Sequence, residues 1–334
     1  ASPAHAAFPS IGDRRLSIDC RPFRIFRDIY GCFPSDRDAA MSRIAIAAAL
    51  VAALMGGVCP CPSYAQTPSA QPGWIASWAT SPQAGEADAE EPLANIDGQT
   101  VRQRVRMSIG GTQLRVRLSN ELSASPLTIG SASIAVAKDA STVEPASLRQ
   151  LTFGGQSSVS IPAGAPILSD PVDLQVAPGA QVGISLFFPE RVTSNTLHSL
   201  ALKRAVASTP GDHTRETSIA PAATSTSSIA ISAVLVPQAR AQRLLVAFGD
   251  SITDGAGSTT DADRSWPAQF AQRVAATDPG LSVVNAGIAG NQLSHEGYGA
   301  SGLARFDRDV LALPGVTHIC LLYTSDAADD MQCV

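Results

Sequence analysis

Leu244-Leu245-Val246-Ala247-Phe248-Gly249-Asp250-Ser251-Ile252-Thr253-Asp254-Gly255 is the stretch around which the chain is organised. The apolar run Leu244 to Phe248 predicts a buried strand. It stops at a glycine, followed by an acid, a serine and, four residues after the serine, a second glycine. A serine placed where a strand gives way to a helix exposes its hydroxyl. The unpaired N–H groups of the helix's first turn face a negative charge there. That geometry suits nucleophilic attack on a carbonyl. The competing reading is that Asp250 and Ser251 do no more than cap the helix.

Downstream, Asp261 to Arg264 reads as a polar loop, and Ser265-Trp266-Pro267 opens a helix with Ser265 as its cap. This helix carries Phe270 and Val274 on one side and ends near Asp278-Pro279-Gly280. Leu281 to Val284 predicts a second strand, which flows into Asn285-Ala286-Gly287-Ile288-Ala289-Gly290-Asn291. Residues 301–312 predict another amphipathic helix, and Val316 to Leu322 a third strand. Strands alternating with helices imply a parallel sheet in an α/β domain. Ligands in such folds sit beyond the carboxyl ends of the strands. Ser251 and the 285–291 loop both fall there.

Upstream the pattern is different. Val101 to Met107 alternates with period two: Val101, Gln103, Val105 and Met107 share one face, and Arg102, Arg104 and Arg106 occupy the other. Leu114 to Leu118 repeats the alternation after Gly110-Gly111, so the two segments predict an antiparallel hairpin with a solvated arginine face. Short strands are predicted at Leu127–Ile129, Ser133–Val136, Leu148–Phe153, Val159–Ile161, Val172–Val176, Val182–Phe188 and Ile229–Val236. Ala205 to Thr226 reads as a polar loop. Pro and Gly punctuate these segments as in an all-β sandwich or jelly roll spanning 74–236, with 237–243 as a linker to the α/β part at 244–319.

With 334 residues the chain is long enough for two domains. A formal charge of -5 and only 16% charged residues give no footprint for a nucleic-acid partner. The first methionine is Met41, and it opens a charged n-region, an apolar stretch from Ile44 to Val58 and a small-x-small end at Ser63-Tyr64-Ala65. Residues 41–65 therefore read as a secretory signal peptide, which implies a secreted or periplasmic protein. Residues 1–40 read as spurious upstream translation or a disordered leader, and 66–73 as a linker. Cys59 raises lipid anchoring, but Gly56-Gly57-Val58 is a poor context for it. Of the 6 cysteines, none lies between Gln66 and Ile319, so the body has no disulfide framework.

The second half resembles the SGNH (GDSL-type) hydrolase family. Its first signature stands as Gly249-Asp250-Ser251-Ile252-Thr253-Asp254-Gly255 and its second as Asn285-Ala286-Gly287-Ile288-Ala289-Gly290-Asn291. Residues 74–236 are similar to the β domain of a bacterial exported subgroup, through Trp74-Ile75-Ala76-Ser77-Trp78, Ser119-Asn120-Glu121, Pro126 to Gly130 and Leu151 to Gly155. Arg305-Phe306-Asp307-Arg308-Asp309 fits that subgroup too. The resemblance implies the first part of a flavodoxin-like, three-layer α/β/α hydrolase domain. It implies Ser251 as nucleophile and as a backbone donor to the oxyanion, Gly290 as a second oxyanion N–H, and Asp250 as support for the turn. Gly287 shapes the loop and Asn291 supports it. No cofactor is required. The implied reaction is acyl-enzyme hydrolysis of carboxylic esters, with acetylated sugars, short-chain esters or lipid esters as substrates.

Two family signatures are missing. No Gly-x-Asn-Asp follows the third strand and no Asp-x-x-His occurs. A serine without a base is a weak nucleophile. His295 lies near the second signature in the wrong context, and His318 sits in an apolar run as a core or strand-end residue. His198 and His213 are scattered, and the histidines show no metal-ligand spacing. Residues 320–334 resemble a translated sequencing adapter, so the chain reads as a truncated, inactive fragment of a serine esterase. The alternative function is a non-catalytic, exported carbohydrate-binding or surface protein with a relic hydrolase domain.

Overall fold

The computed structural model describes residues 73–85, 93, 96–192 and 195–324. The signal peptide, the upstream leader, Cys59 and the tail beyond 324 lie outside the described residues. The described residues belong to one compact unit.

The N-terminal region is β-rich. One antiparallel sheet has the order β1 (Trp74–Ala79), β16 (Ile231–Pro237), β4 (Gly111–Asn120), β10 (Val172–Val176), with β9 (Ala165–Leu168) also on β4. A second has the order β14 (Pro221–Ser225), β13 (Ala205–Pro210), β3 (Gln99–Arg106), β11 (Gln181–Phe188), β6 (Ser131–Val136), β7 (Arg149–Gln150). Smaller sheets join β15 (Ser228–Ile229), β12 (Thr196–His198) and β2 (Gln83–Ala84), and β5 (Leu127–Ile129) with β8 (Val159–Ile161). Val101 and Val105 of the second sheet and Leu114, Val116 and Leu118 of the first enter one continuous apolar core.

Three expectations for this region are corrected. The hairpin of β3 and β4 does not form, because the two strands belong to different sheets. The chain changes partner within two residues: Met107 N donates to Ala180 O, and Ser108 N to Ser77 O. The arginine face is not solvated. Arg102 is fully buried and donates to Ser185 Oγ and to the carbonyls of Ser141, Glu216 and Thr217. That burial lowers its pKa to about 10. Arg104 and Arg106 are tied to Asp261 and Asp263 at 2.6 Å each. Finally, Ala205 to Thr226 is not simply a loop. It contains β13 and β14, whose Ala, Ser and Thr residues carry little apolar signal.

The C-terminal region alternates strands and helices. β17 (Arg243–Gly249) is central in a parallel sheet between β18 (Leu281–Gly287) and β19 (Val316–Leu322). Covered on both faces, it buries Leu244, Val246, Ala247 and Phe248, which is why it reads as a continuous apolar run. α1 is Ser251–Asp254 and α2 is Trp266–Thr277. The helix expected over 301–312 divides into α3 (Gly302–Phe306) and a π-helical turn over Asp307–Leu311. On β19, Ile319 and Leu321 are exposed. The two regions are bonded directly: Ser282 Oγ donates to Ala76 O (2.7 Å), and Val283 N donates to Ser108 Oγ (2.8 Å).

Candidate active site

The carboxyl end of β17 delivers the chain into α1. Asp250 has an extended backbone, φ −94 and ψ −153, and its Oδ1 accepts from Ile252 N at 3.0 Å. This caps one of the orphan donors at the helix start. Its Oδ2 accepts from the backbone N and hydroxyl of Thr324, at 2.7 and 3.0 Å. Ser251 is the first helical residue and is half-buried. Its carbonyl accepts from Gly255 N and Ala256 N, both at 2.9 Å. The side chain thus stands at the mouth of the sheet on a turn closed from both ends.

The loop after β18 is docked on this turn. Ile288 N donates to Gly249 O at 3.1 Å, and Ala289 N to Asp254 Oδ2 at 2.8 Å. Asn285 Nδ2 donates back to the carbonyls of Thr253 and Asp254. A Cβ on Gly287 would lie 2.3 Å from Asp254 N, so only glycine permits this approach. Gly290 has φ +75, and a Cβ there would meet the Tyr298 ring. The structure therefore brings Asp250, Ser251 and the loop carrying Gly290 to one end of the sheet.

Beneath them lies Arg305, fully enclosed. It donates to Asn291 Oδ1 (2.9 Å), Ser81 Oγ (3.0 Å), Ala286 O (2.8 Å), Gly249 O (2.9 Å), Tyr323 OH (2.7 Å) and Asp309 Oδ2 (3.0 Å). Its guanidinium carbon is 4.1 Å from the centre of the Phe248 ring. One side chain thus gathers the ends of two strands, the loop and the β-rich region. Asn291 Nδ2 holds the loop by donating to the carbonyls of Tyr298 and Ala300. Tyr323 OH also donates to Asn291 Oδ1 at 2.8 Å. Burial pushes the Tyr323 phenol up, and the Arg305 charge offsets part of that.

Residues 247–321 match the GDSL-like Lipase/Acylhydrolase family. No curated protein matches the chain. The match includes Ser251, Gly290 and Arg305, and it indicates hydrolase chemistry of the ester-cleaving type in general. The GDSL-like region begins within β17 and ends within β19, so the β-rich region lies outside it.

Among the described residues no imidazole is hydrogen-bonded to Ser251. His295 is exposed and bonds Ser294 Oγ, and His213 bonds Glu216. His318 is corrected: it is exposed in the middle of β19, bonded to Thr317 Oγ1, and is neither a core nor a strand-end residue. His198 is buried and bonds Ser81 O and Asp254 Oδ1. Sequence reasoning did not single out His198, Ser81 or the full role of Arg305. Separations of 56 and 117 residues join His198 to its partners, and no local pattern carries that information. Residues 320–324, read from the sequence as an unrelated tail, complete β19 and reach the site through Tyr323 and Thr324.

Proposed function

We propose that this chain carries the nucleophile half of an exported serine esterase. The observation that carries the reading is the docking of the 287–290 loop onto the turn that presents Ser251, through Ile288 N to Gly249 O and Ala289 N to Asp254. In this reading Ser251 Oγ attacks the ester carbonyl and gives up its proton to a base. The tetrahedral oxyanion is met by backbone N–H groups of Ser251 and Gly290. The intermediate collapses with loss of the alcohol, and water then releases the acid. Acetylated sugars, short-chain esters and lipid esters fit this chemistry. The 74–236 region is a β-sandwich domain in this proposal, and the pattern from Met41 to Ala65 directs export.

The base is the missing part. With no Asp-x-x-His in the sequence, the chain as written is expected to give no turnover. Sequencing the native locus past codon 319 and assaying both proteins on an aryl acetate tests this. The expected result is hydrolysis only by the protein whose frame continues into Gly-x-Asn-Asp and Asp-x-x-His. That activity should fall by roughly 10⁴-fold or more in Ser251→Ala. Hydrolysis by the present chain that vanishes in Ser251→Ala would overturn the inactive-fragment part. A locus that ends as written here, with no turnover, would favour binding through the β-rich region instead.

A further inference from the structure

His198 closes β12, outside the family match, yet its ring is 5% exposed and lies against the turn that carries Ser251. Nδ1 is 3.0 Å from the Ser81 carbonyl oxygen, and Nε2 is 3.1 Å from Asp254 Oδ1. A carbonyl oxygen can only accept, so Nδ1 must donate. A neutral ring would then aim the Nε2 lone pair at the carboxylate. Two protonation states repair this: a proton on Nε2 or a proton on Asp254. The other oxygen, Oδ2, accepts from Ala289 N at 2.8 Å, and hydrogen bonds to a carboxylate favour its ionised form. The proton therefore belongs on the ring.

We infer that His198 is held as an imidazolium and is a positioning residue: it fixes Asp254, which in turn fixes Ala289 beside Gly290. The chain of contacts runs from the β-rich region, through Ser81 and His198, to the Ser251 turn and the adjoining loop. Other charges face the ring. Asp254 comes from α1. Arg305 comes from α3, bonded to Ser81 Oγ and balanced by Asp309 at 3.0 Å. Burial is the largest influence on His198 and pulls its pKa down. The Asp254 charge and hydrogen bond, with the Ser81 carbonyl, outweigh it against a smaller opposing push from Arg305, and the net direction is up. The consequence for ester cleavage rests on the assignment of Ser251 proposed above, whereas the charge state of the ring does not.

The test is a titration of the ¹⁵N-labelled full chain from pH 5 to 9, following the ring nitrogens by long-range ¹H–¹⁵N correlation. His198→Gln assigns the resonance. Both ring nitrogens of His198 are expected to remain protonated above the ordinary midpoint of about 6.5. Asp254→Asn is expected to lower the proton affinity of His198 roughly tenfold or more. His213, which is also raised, chiefly by its hydrogen bond to Glu216, should not move in that variant. Amide exchange at Ala289 should quicken roughly tenfold in His198→Gln, while the Ala137 amide, bonded to Gln181 O, stays protected. An unprotonated ring nitrogen on His198 at pH 6 in the folded wild type would overturn the inference, even if Asp254→Asn did not fold. An unchanged midpoint in a folded Asp254→Asn would do the same. Ser251→Ala should leave the titration untouched, so failure of the esterase assignment and failure of this one are read separately.

Discussion

Arg305 makes a strong case for buried charge as scaffolding. Its guanidinium satisfies Gly249 O and Ala286 O, the carbonyls at the ends of two parallel strands, while Asp309, fully enclosed, supplies the counter-charge. Five fixed donors suit this environment, and a lysine offers three on a flexible stem. Arg305→Met is expected to destabilise the protein by roughly 3–5 kcal/mol, since it strands both carbonyls and leaves Asp309 with Arg308 alone. Arg305→Lys should fall between the wild type and Arg305→Met. Urea unfolding followed by circular dichroism measures both. A loss below about 1 kcal/mol in Arg305→Met would show that the network contributes little to stability.

At the level of elements, the contact between the end of β18 and α1 is a backbone-to-backbone approach. A Cβ on Gly287 would meet Asp254 N at 2.3 Å and Asp254 Cα at 2.7 Å, atoms that no rotamer change can move aside. Gly287→Ala is therefore expected to cost roughly 1–3 kcal/mol by overpacking. It should also speed amide exchange at Ile288 and Ala289. Gly154→Ala is the control: its φ is +60 but nothing lies within 4 Å, so the cost is left-handed strain of about 1 kcal/mol without effect on those amides. Equal exchange at Ala289 in wild type and Gly287→Ala would refute the crowding argument. The same contact explains what was legible in the sequence. β17, the Asp250 cap and the 285–291 loop are local features, written in a continuous apolar run and in small residues at fixed positions. The pairing of β3 with β11 and of β4 with β16 is decided by strands about 70 or more residues away, and period-two alternation is the same in either sheet. Arg102 follows the same rule, because the acceptors that permit its burial lie at 141, 185, 216 and 217. His198 reads as a scattered histidine because the partners that give it a role, Ser81 and Asp254, lie 117 and 56 residues away.

For the whole molecule, titrating groups of opposite sign set the pH range of stability. Among the described residues of the β-rich region, Asp139, Asp170 and Asp212 are depressed. Burial is the largest single influence on Asp139 and Asp212 and pushes them upward, but hydrogen bonds from Ser141 and Thr142, and from Thr214 and Ser131, together outweigh it. Asp170 is held down by the Gly155 N–H, the Thr152 hydroxyl and the Gly154 N–H. A carboxylate whose folded pKa is lowered contributes stability above its unfolded value of about 3.9, and that contribution is lost as pH falls through the folded value. His198 and His213 carry the opposite sign. Their raised pKa values contribute fully below the unfolded value of about 6.5, and the contribution is lost as pH rises through the folded values. The melting temperature is therefore expected to be highest between about pH 4.5 and 6.5 and to fall on both sides. Asp212→Asn should flatten the acid limb, and His198→Gln should flatten the alkaline limb. The two limbs report different places. Acid loosens turns within the β-rich region, whereas alkali releases the contact between Ser81, His198 and Asp254 that joins this region to the Ser251 turn. A melting temperature that climbs steadily from pH 6.5 to 9, or an alkaline limb unchanged in His198→Gln, would show that the joint does not depend on a protonated ring.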